Sequence, residues 1–389
     1  MTARPSTSAE PSAPPPTPSP APPLPPERRI DLSGRTILVV GGAGYIGAHV
    51  CKAVAEAGGV PVTLDNLSGG HADAVRWGPL VEADLCDAAA TRAACGAHAD
   101  AWAVVHLASS IEVGRGERDP AGFYRNNVLG AFNLLEGMRA AGLGRLVFSS
   151  TCATYGEGHA MPLTEDTPQT PTSVYGRTKL AVEHMIRSYG AAYGLAYVTL
   201  RYFNASGADA SGGIGEAHDP ETHLIPTALE AAAGRRTANG GRMSVFGTDY
   251  PTPDGTCVRD YIHVSDIAEA HLDAFRAFGR GVEAAEVNIG TGRGLSNLQI
   301  LDAVASVTGR PVPYDAAPRR PGDLSALYAD ATRAREVLGF APRHSGIETI
   351  VGSAWNYHRR VWGEGGAEGG GQRVEAGAAS RAGSPPPHR

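Results

Sequence analysis

The chain has 389 residues, of which 42% are hydrophobic and 19% charged, and its formal net charge is −6. This length and hydrophobic content allow one large domain or two ordinary ones with a substantial core. A mildly acidic chain is a poor candidate for binding nucleic acid or an anionic membrane surface. No apolar run approaches the roughly 20 residues of a membrane span. We therefore expect neither nucleic acid nor membrane as a partner.

The five cysteines argue against two further classes of protein. None of them forms a CxxC pair, so the sequence predicts neither a disulfide framework nor a zinc site, and we expect no metal. Unpaired cysteines favour a reducing compartment, which indicates a cytoplasmic location.

The two ends of the chain have biased compositions. Residues 1–32 are dominated by Pro, Ser, Thr and Ala, which predicts a disordered tail with polyproline-II character. An organelle-targeting segment is less favoured, because Glu10 and Glu27 are acidic. Residues 362–389 are rich in Gly, Ser, Ala and Pro and also predict a disordered tail. The folded part is expected at 33–361.

Strands and helices are predicted to alternate through the first half of the folded part. The apolar run Thr36–Val40 predicts a buried parallel strand, and a helix is predicted at Ala48–Ala57, before Gly58 and Gly59. Further strands are predicted at Val60–Leu64, Leu80–Ala83, Ala103–Leu107, Leu146–Ser149 and Ala196–Tyr202, and helices at Tyr124–Ala141 and Val174–Tyr193. This alternation predicts an α/β fold with a doubly wound, Rossmann-like parallel sheet.

After Phe203 the pattern becomes less regular, with frequent Gly, Pro and Asp. Helices are still predicted at Leu224–Ala233, Val264–Phe278, Asn297–Thr308 and Ile347–Tyr357. We therefore expect the sheet domain at 33–203 and a smaller α/β part at 204–361, interleaved with the first near 258–290. The smaller part is expected to cover the carboxyl ends of the strands, where such sheets bind ligands.

A glycine-rich loop follows the first predicted strand. Gly41, Gly44 and Gly47 lie in GGAGYIG and lead into a predicted helix. Glycines let a pyrophosphate approach the helix N-terminus, where free N–H groups favour negative charge. Asp65 ends the second predicted strand and can accept hydrogen bonds from ribose hydroxyls, which favours NAD over NADP. The third predicted strand leads to Asp84, a candidate for the adenine amino group, although a capping role fits it as well.

Tyr175 and Lys179 form a YxxxK pair, whose i, i+4 spacing places both side chains on one helix face. An unperturbed tyrosine has a pKa of about 10, so its phenol is protonated at neutral pH and cannot act as a base. The lysine ammonium together with oxidised nicotinamide would stabilise its phenolate, so the pair predicts a general base that works with bound NAD⁺. Thr151, after Ser149 and Ser150, can supply a hydroxyl to the substrate and the tyrosine.

Seven motifs together resemble the bacterial UDP-glucose 4-epimerases of the extended short-chain dehydrogenase superfamily. They are GGAGYIG, DNLSGG, SSTCATYGE, YGRTK, LRYFNASGA, GTDYPTPDGTCVRDYIHVSD and RRPGD. The resemblance runs from about Arg35 to Tyr357. It implies a UDP-sugar substrate, a transient oxidation of the sugar at C4, tightly held NAD, and a homodimer formed through the helices at about 120–141 and 174–193.

The resemblance also assigns individual positions. Tyr175 would be the base, Lys179 its partner and Thr151 the catalytic hydroxyl. The residues expected at the cofactor are Gly41, Gly44, Tyr45, Ile46, Gly47, Asp65, Asn66, Asp84, Leu85, Leu107, Ala108, Ser109, Asn126, Tyr175, Lys179 and Phe203. Those expected at the UDP-sugar are Thr151, Asn204, His223, Leu224, Ser244, Val245, Phe246, Arg259, Tyr261, Arg320, Asp323 and Leu327.

Two positions depart from the family pattern. Ile111 stands where many members have a lysine that contacts the cofactor phosphates, which predicts weaker retention of NAD. Leu327 stands where the best-known bacterial members have a larger tyrosine near the sugar C2 substituent. The smaller side chain predicts that UDP-N-acetylglucosamine is accepted as well as UDP-glucose.

Other functions remain open at this point. The same chemistry could act on UDP-xylose and UDP-arabinose or on UDP-GlcNAc, and a non-enzymatic NAD-binding sensor is a further alternative. A 4,6-dehydratase is disfavoured, because such enzymes need an acid–base pair where this chain has Cys152 and Ala153.

Overall fold

The computed structural model describes residues 28–218, 220–235, 240–320 and 323–363. The first half contains β1 (Thr36–Val40), α1 (Tyr45–Glu56), β2 (Val60–Asp65), β3 (Leu80–Glu82), α2 (Ala88–Ala97), β4 (Ala103–His106), α3 (Val113–Arg118), α4 (Pro120–Phe123), a π-helical segment (Tyr124–Leu129), α5 (Gly130–Ala141), β5 (Arg145–Thr151), α6 (Val174–Tyr193) and β6 (Ala196–Tyr202). The second half contains β7 (Asn204–Ser206), α7 (Leu224–Ala232), β8 (Met243–Phe246), β9 (Val258–His263), α8 (Val264–Gly279), β10 (Ala284–Ile289), β11 (Gly294–Ser296), α9 (Asn297–Thr308), β12 (Tyr314–Ala317), β13 (Ala326–Leu327), α10 (Thr332–Leu338) and α11 (Ile347–Val361).

A seven-stranded parallel sheet organises the fold, in the order β10-β6-β5-β4-β1-β2-β3. The strand order reverses between β1 and β4, and this reversal opens a crevice at the carboxyl ends of the strands. The predicted doubly wound α/β fold is therefore confirmed. β10 returns to the sheet edge from the second half of the chain, within the stretch predicted to interleave.

Strand β1 shows how the sequence builds a core on each face of the sheet. Its residues 37–40 are fully buried and alternate between the two sides. Ile37 and Val39 pack in a cluster with side chains of α1 and α8, whereas Leu38 and Val40 pack with side chains of α2, α5 and α6. Side chains of a strand point alternately to opposite faces, so a continuous apolar run is what a sheet covered on both faces requires.

The smaller part is built around strand β9. β9 pairs with β7, β11 and β13, and a two-stranded pairing of β8 with β12 lies beside this unit. Helices α7, α9 and α11 pack together over a third apolar cluster that also contains Val245 of β8 and Tyr261 of β9. This packing holds β8 and β9 in fixed positions next to the main sheet.

Several element bounds differ from the sequence-based prediction. Helix α1 begins at Tyr45 rather than Ala48, because it starts directly from the glycine loop. Helix α2, capped by the Asp87 side chain, was not predicted. The predicted helix at Tyr124–Ala141 begins earlier, at Pro120, and contains the π-helical segment.

The predicted tails are also shorter than expected where the structure describes them. Leu32 is fully buried, its N–H donates to the carbonyl of Ala57, and Arg28 pairs with buried Asp273 at 2.7 Å. At the other end the Trp362 ring packs edge-on against Trp355. Residues 28–32 and 362 thus belong to the packed structure, because apolar and ionic contacts hold them. Residues 1–27 and 364–389 lie outside the described part. Among the described helices, none has the length and apolar character required to cross a bilayer.

Candidate active site

The glycine loop between β1 and α1 is shaped by two close backbone approaches. Gly41 has φ +85°, and a Cβ atom there would lie 2.5 Å from the backbone nitrogen of Ala108. A Cβ atom on Gly47 would lie 2.1 Å from the carbonyl oxygen of Gly41. Gly44 is the N-cap of α1 and makes no side-chain hydrogen bond to the first-turn N–H groups, which suits an anion site at the helix N-terminus. The loop therefore has the geometry that a pyrophosphate needs.

Asp65 connects this loop to the end of β2. Its buried carboxylate accepts hydrogen bonds from the N–H groups of Ala43, at 3.0 Å, and Leu67, at 2.9 Å. The hydroxyl of Tyr45 donates to the carbonyl of Gly207 at 2.5 Å, and Ile46 packs on the sheet core. The side chains of Tyr45 and Ile46 thus anchor the start of α1, and their backbone N–H groups belong to the anion site at its N-terminus.

Other predicted cofactor residues lie at the carboxyl ends of β2, β3 and β4. The side-chain oxygen of Asn66 accepts from Ser68, and the carboxylate of Asp84 accepts from the N–H of Cys86 at 2.8 Å. Leu85 is buried. Both Leu107 and Ala108 donate their N–H groups to the carbonyl of Val40, and Ser109 follows them. No hydrogen bond among the described residues joins Asn66 or Asp84 to the glycine loop.

Asn127, which the sequence analysis missed, fixes the loop after β4. Its side-chain oxygen accepts from the N–H of Ser110 at 2.8 Å, and its amide donates to the Ser110 carbonyl and the Thr178 hydroxyl, both at 3.0 Å. Asn126, the predicted residue, donates its amide to Asn127 at 3.0 Å. The Asn126–Asn127 pair was visible in the sequence, but nothing there distinguished the residue that clamps the loop to α6.

The predicted catalytic residues meet where β5 ends and α6 begins. Thr151 is the last residue of β5, and α6 starts at Val174 behind a Ser173 cap that accepts from the N–H of Gly176 at 3.1 Å. Lys179 is buried, donates to the carbonyl of Ser149 at 2.9 Å, and places its nitrogen 5.9 Å from the centre of the Tyr175 ring. The structure therefore brings the three residues together.

The electrostatics of this group favour neutral side chains in the absence of cofactor. Burial raises the pKa of Tyr175 above its usual value, while a hydrogen bond with Thr151 acts in the opposite direction. Burial lowers the pKa of Lys179 to about 7, against the effect of the Glu183 carboxylate. A phenolate at Tyr175 consequently needs a further positive charge close by, as the sequence analysis expected of NAD⁺.

A buried ion cluster supports the helix that carries the tyrosine and lysine. Glu183, one turn after Lys179, accepts a hydrogen bond from Ser150 and pairs with Arg201 at 2.8 Å. Arg201 also pairs with Glu286 of β10 at 2.6 Å. This cluster was not predicted from the sequence, because its members are far apart in the chain and meet only after the sheet has formed.

Strand β9 gathers the predicted substrate residues by its register. Asn204 of β7 is the partner of Tyr261, and Leu327 of β13 is the partner of Arg259. Arg259 donates to the carbonyl of Leu324 at 2.8 Å, which orients its guanidinium group. Leu327 and Phe203 share a small apolar cluster with Cys152, next to the catalytic threonine.

The remaining predicted substrate residues lie on β8, on the segment after β12 and at the start of α7. Arg320 lies 4.7 Å from the ring centre of Phe246 and pairs with Asp323 at 2.8 Å. Ser244 is also on β8. The Val245 side chain is buried in the third core, so only its backbone can reach a ligand. Leu224 begins α7 and packs partly on the same core.

His223 caps α7 and takes part in an ionic cluster. Its Nδ1 lies 2.9 Å from Glu216 and 3.0 Å from Glu221. Burial is the largest single effect and opposes the charged imidazolium, but the Glu216 and Glu221 carboxylates together outweigh it and raise the pKa of His223 to about 10. Its ring is thus engaged by carboxylates, whereas the sequence analysis expected it at the UDP-sugar.

Comparison with known proteins identifies relatives of this chain. Residues 37–290 match the model of the NAD dependent epimerase/dehydratase family. The UDP-glucose 4-epimerase of Rhizobium leguminosarum bv. trifolii is 47% identical over 329 residues, covering 85% of this chain and 99% of that protein. The enzyme of the same name from Rhizobium meliloti strain 1021 is 48% identical over 329 residues, covering 85% and 98%.

A solved structure leads to the same family. The crystal structure of UDP-glucose 4-epimerase from Brucella ovis in complex with NAD is 49% identical, covers 83% of this chain and 98% of its own, and superposes with a TM-score of 0.80. The chain therefore belongs to the NAD dependent epimerase/dehydratase family, among the bacterial UDP-glucose 4-epimerases.

Proposed function

We propose that this chain interconverts UDP-glucose and UDP-galactose by transient oxidation of the sugar at C4. The observation that carries the proposal is the meeting of Thr151, Tyr175 and Lys179 at the carboxyl edge of the sheet. This group lies beside an apolar cluster to which β13 contributes Leu327, the register partner of Arg259. The group around Tyr175 thus supplies a proton acceptor, and Arg259 supplies an anchor for a diphosphate.

The residues around the glycine loop fit NAD. Gly41 and Gly47 leave no room for a Cβ atom, α1 begins without a side-chain cap, and Asp65 lies at the end of β2. When bound, NAD supplies a hydride acceptor that becomes the donor for the return step. The acidic Asp65 disfavours a 2′-phosphate, so we propose NAD rather than NADP.

The chain's own residues then perform the proton chemistry and the positioning. Tyr175 takes the proton of the 4-hydroxyl as the C4–H bond breaks, and Thr151 holds that hydroxyl and the phenol together. Arg259 and Arg320 suit the diphosphate, since guanidinium groups match paired phosphate oxygens. The sugar must turn about its link to the diphosphate to present its other face, so firm contacts belong on UDP rather than on the sugar.

Dehydratase chemistry has no acid–base pair to support it at this site. Cys152, which follows Thr151, is buried, and burial raises the pKa of its thiol to about 12. Ala153 carries no ionisable group. Neither residue can exchange a proton with the sugar at neutral pH.

We also propose a homodimer formed through α5 and α6. Leu129, Phe132 and Tyr193 are 43%, 44% and 61% exposed, which is unusual for large apolar side chains on neighbouring helices.

A cytoplasmic location is part of the same proposal, because all five cysteines are free thiols.

The direct test is an assay of the purified chain with UDP-galactose, in which glucose release from the product is coupled to a colour change. Parallel reactions with UDP-N-acetylgalactosamine and UDP-arabinose measure the alternative substrates. Activity on UDP-galactose without added oxidant supports the proposal. An inactive chain that still binds NAD and UDP would favour the sensor alternative.

A further inference from the structure

The segment before α7 contains the same short pattern twice. Glu216-Ala217-His218 is followed by Glu221-Thr222-His223, so a glutamate stands two residues before a histidine in each. Residues two apart in extended backbone project to the same face. Each copy can therefore present one carboxylate and one imidazole to a common point.

The fold brings the two copies together. One ligand atom from each of Glu216, His218, Glu221 and His223 lies within 4.8 Å of the other three. Each imidazole uses Nδ1, and each faces both carboxylates. For His223 the distances are 2.9 and 3.0 Å, and for His218 they are 3.3 and 3.8 Å.

These separations match those around a tetrahedral metal ion. Zinc bonds of about 2.0–2.1 Å to nitrogen and oxygen place neighbouring ligand atoms of a tetrahedron roughly 3.3 Å apart. The four observed nitrogen–oxygen distances lie on either side of this value. The widest separation in the set, up to 4.8 Å, would have to shorten by about 1.5 Å for a tetrahedral coordination sphere to form.

Two observations indicate what a divalent ion would add to this cluster. The Nδ1 atom of His218 is buried and has no hydrogen-bond partner within the part of the chain that the structure describes, although Glu216 lies nearby. The His218 and His223 rings are only 5.0 Å apart, so two imidazolium charges would repel each other. A divalent ion would bind both rings in their neutral form and balance the two carboxylates.

We propose that Glu216, His218, Glu221 and His223 form a structural site for a divalent transition-metal ion of the zinc class. Imidazole nitrogen favours zinc, cobalt or nickel over magnesium and calcium, which prefer oxygen ligands. The Glu216 side chain is 6% exposed, as expected of a ligand inside the cluster, and His218 lines a cavity of about 420 Å³. The ion would join the segment to the first turn of α7, because His223 is its capping residue.

The test is a metal titration of the untagged chain after treatment with a chelator. Calorimetry with Zn²⁺ and the visible spectrum of added Co²⁺ are measured for the wild type, His218→Gln, Glu221→Gln and His98→Gln. His98 is a matched control, because it lies at the end of α2, outside the cluster. Circular dichroism confirms that each variant is folded.

We expect about one ion per chain for the wild type and His98→Gln, with a tetrahedral Co²⁺ spectrum. Removing one ligand should weaken binding by at least about 100-fold in His218→Gln and Glu221→Gln, since even indirect partners of a ligand change affinity by about 10- to 100-fold. Excess Mg²⁺ should not displace the ion. The proposal fails if the wild type binds no more metal than His218→Gln, or if both ligand variants retain wild-type affinity. The titration measures binding alone, so its result does not depend on which sugar the enzyme accepts.

Discussion

Leu327 and Arg259 are register partners in the parallel pairing of β13 with β9. This pairing places the side chain predicted to lie near the sugar C2 substituent beside a residue predicted to hold the diphosphate. Leu327 is 7% exposed and packs in one cluster with Phe203 and Cys152. Leu327 therefore lies in a closely packed site, where a change of even one methylene group in side-chain volume affects the packing.

We predict that Leu327→Tyr reduces the use of UDP-N-acetylglucosamine relative to UDP-glucose by roughly tenfold or more, and that Leu327→Cys increases it. The larger ring occupies the space that an acetyl group needs. The measurement is the ratio of kcat/KM for the two substrates, with Leu327→Met as a control of similar volume. If the wild type rejects the acetylated sugar as fully as Leu327→Tyr does, position 327 does not determine this specificity.

We predict that Ile111→Lys increases the fraction of purified enzyme that carries NAD. Ile111 is 40% exposed in the loop that Asn127 clamps, and an ammonium group there could pair with a cofactor phosphate. A charge-assisted hydrogen bond of this kind should tighten binding roughly tenfold. Released nucleotide is quantified after denaturation, and Ile111→Leu is the uncharged control. Equal occupancy in all three proteins would show that this position does not limit NAD binding.

We predict that Tyr175→Phe lowers turnover by roughly 100-fold or more, as expected for loss of a general base, and leaves UDP binding nearly unchanged. The ring and its packing remain while the proton-accepting oxygen is removed. Stopped assays give kcat and calorimetry with UDP gives affinity. Thr151→Ala should have a smaller effect and Thr151→Ser almost none, because serine restores the hydroxyl. A fully active Tyr175→Phe variant would contradict the proposed base.

The lowered pKa of Lys179 predicts an unusual pH dependence for the NAD-free chain. The folded-state pKa is about 7, whereas an exposed lysine titrates near 10.4. Between these values the unfolded chain binds more protons, so the contribution of Lys179 to the free energy of unfolding rises with pH. Below about pH 7 the burial penalty is fully present, on the order of 4 kcal/mol.

Comparison with Lys179→Met isolates this effect. As pH rises from about 7 to about 10, the difference in the free energy of unfolding should shift in favour of the wild type by a few kcal/mol. Denaturant titrations at several pH values measure it. A difference that stays constant over this window would show that the lysine titrates normally.

We predict that Phe132→Asp converts a dimer to a monomer. Leu129 and Phe132 are three residues apart and share a face of the segment that carries α5. A carboxylate at the centre of an apolar interface would remain unpaired and desolvated. Light scattering measures the mass, and Val361→Asp, at an exposed apolar position on α11, is the control. A wild-type chain that is monomeric at micromolar concentration would contradict the proposal.

Local sequence signals predicted the regular elements well. α6, β6 and α9 have the predicted bounds, because apolar periodicity and capping residues such as Ser173 and Ser296 define them. The glycine loop was also predictable, because the spacing of its glycines follows from the backbone geometry of the tight turn. The short, alanine-rich α2 was missed because a run of alanines shows no clear alternation of apolar and polar residues at the helical period.

Residues that act through contacts distant in sequence were not predictable. Asn127 clamps a loop seventeen positions away, and Arg201 meets Glu286 only when β6 pairs with β10. The partners of Asn127 and Arg201 are set by the fold and not by spacing. By contrast, the carboxylates that contact His223 lie only two and seven positions before it in the sequence, and its place at the UDP-sugar stays a prediction.

In the proposed reaction, the hydrogen removed from C4 returns to C4 of the same sugar within one enzyme. The most direct measurement is turnover of UDP-galactose labelled with deuterium at C4, in ordinary water and without added NAD. We predict that UDP-glucose forms with the deuterium retained at C4, because Tyr175 exchanges only the hydroxyl proton. Loss of the label to solvent would show that C4 is inverted by removal of its hydrogen as a proton, which is incompatible with oxidation at C4 by hydride transfer.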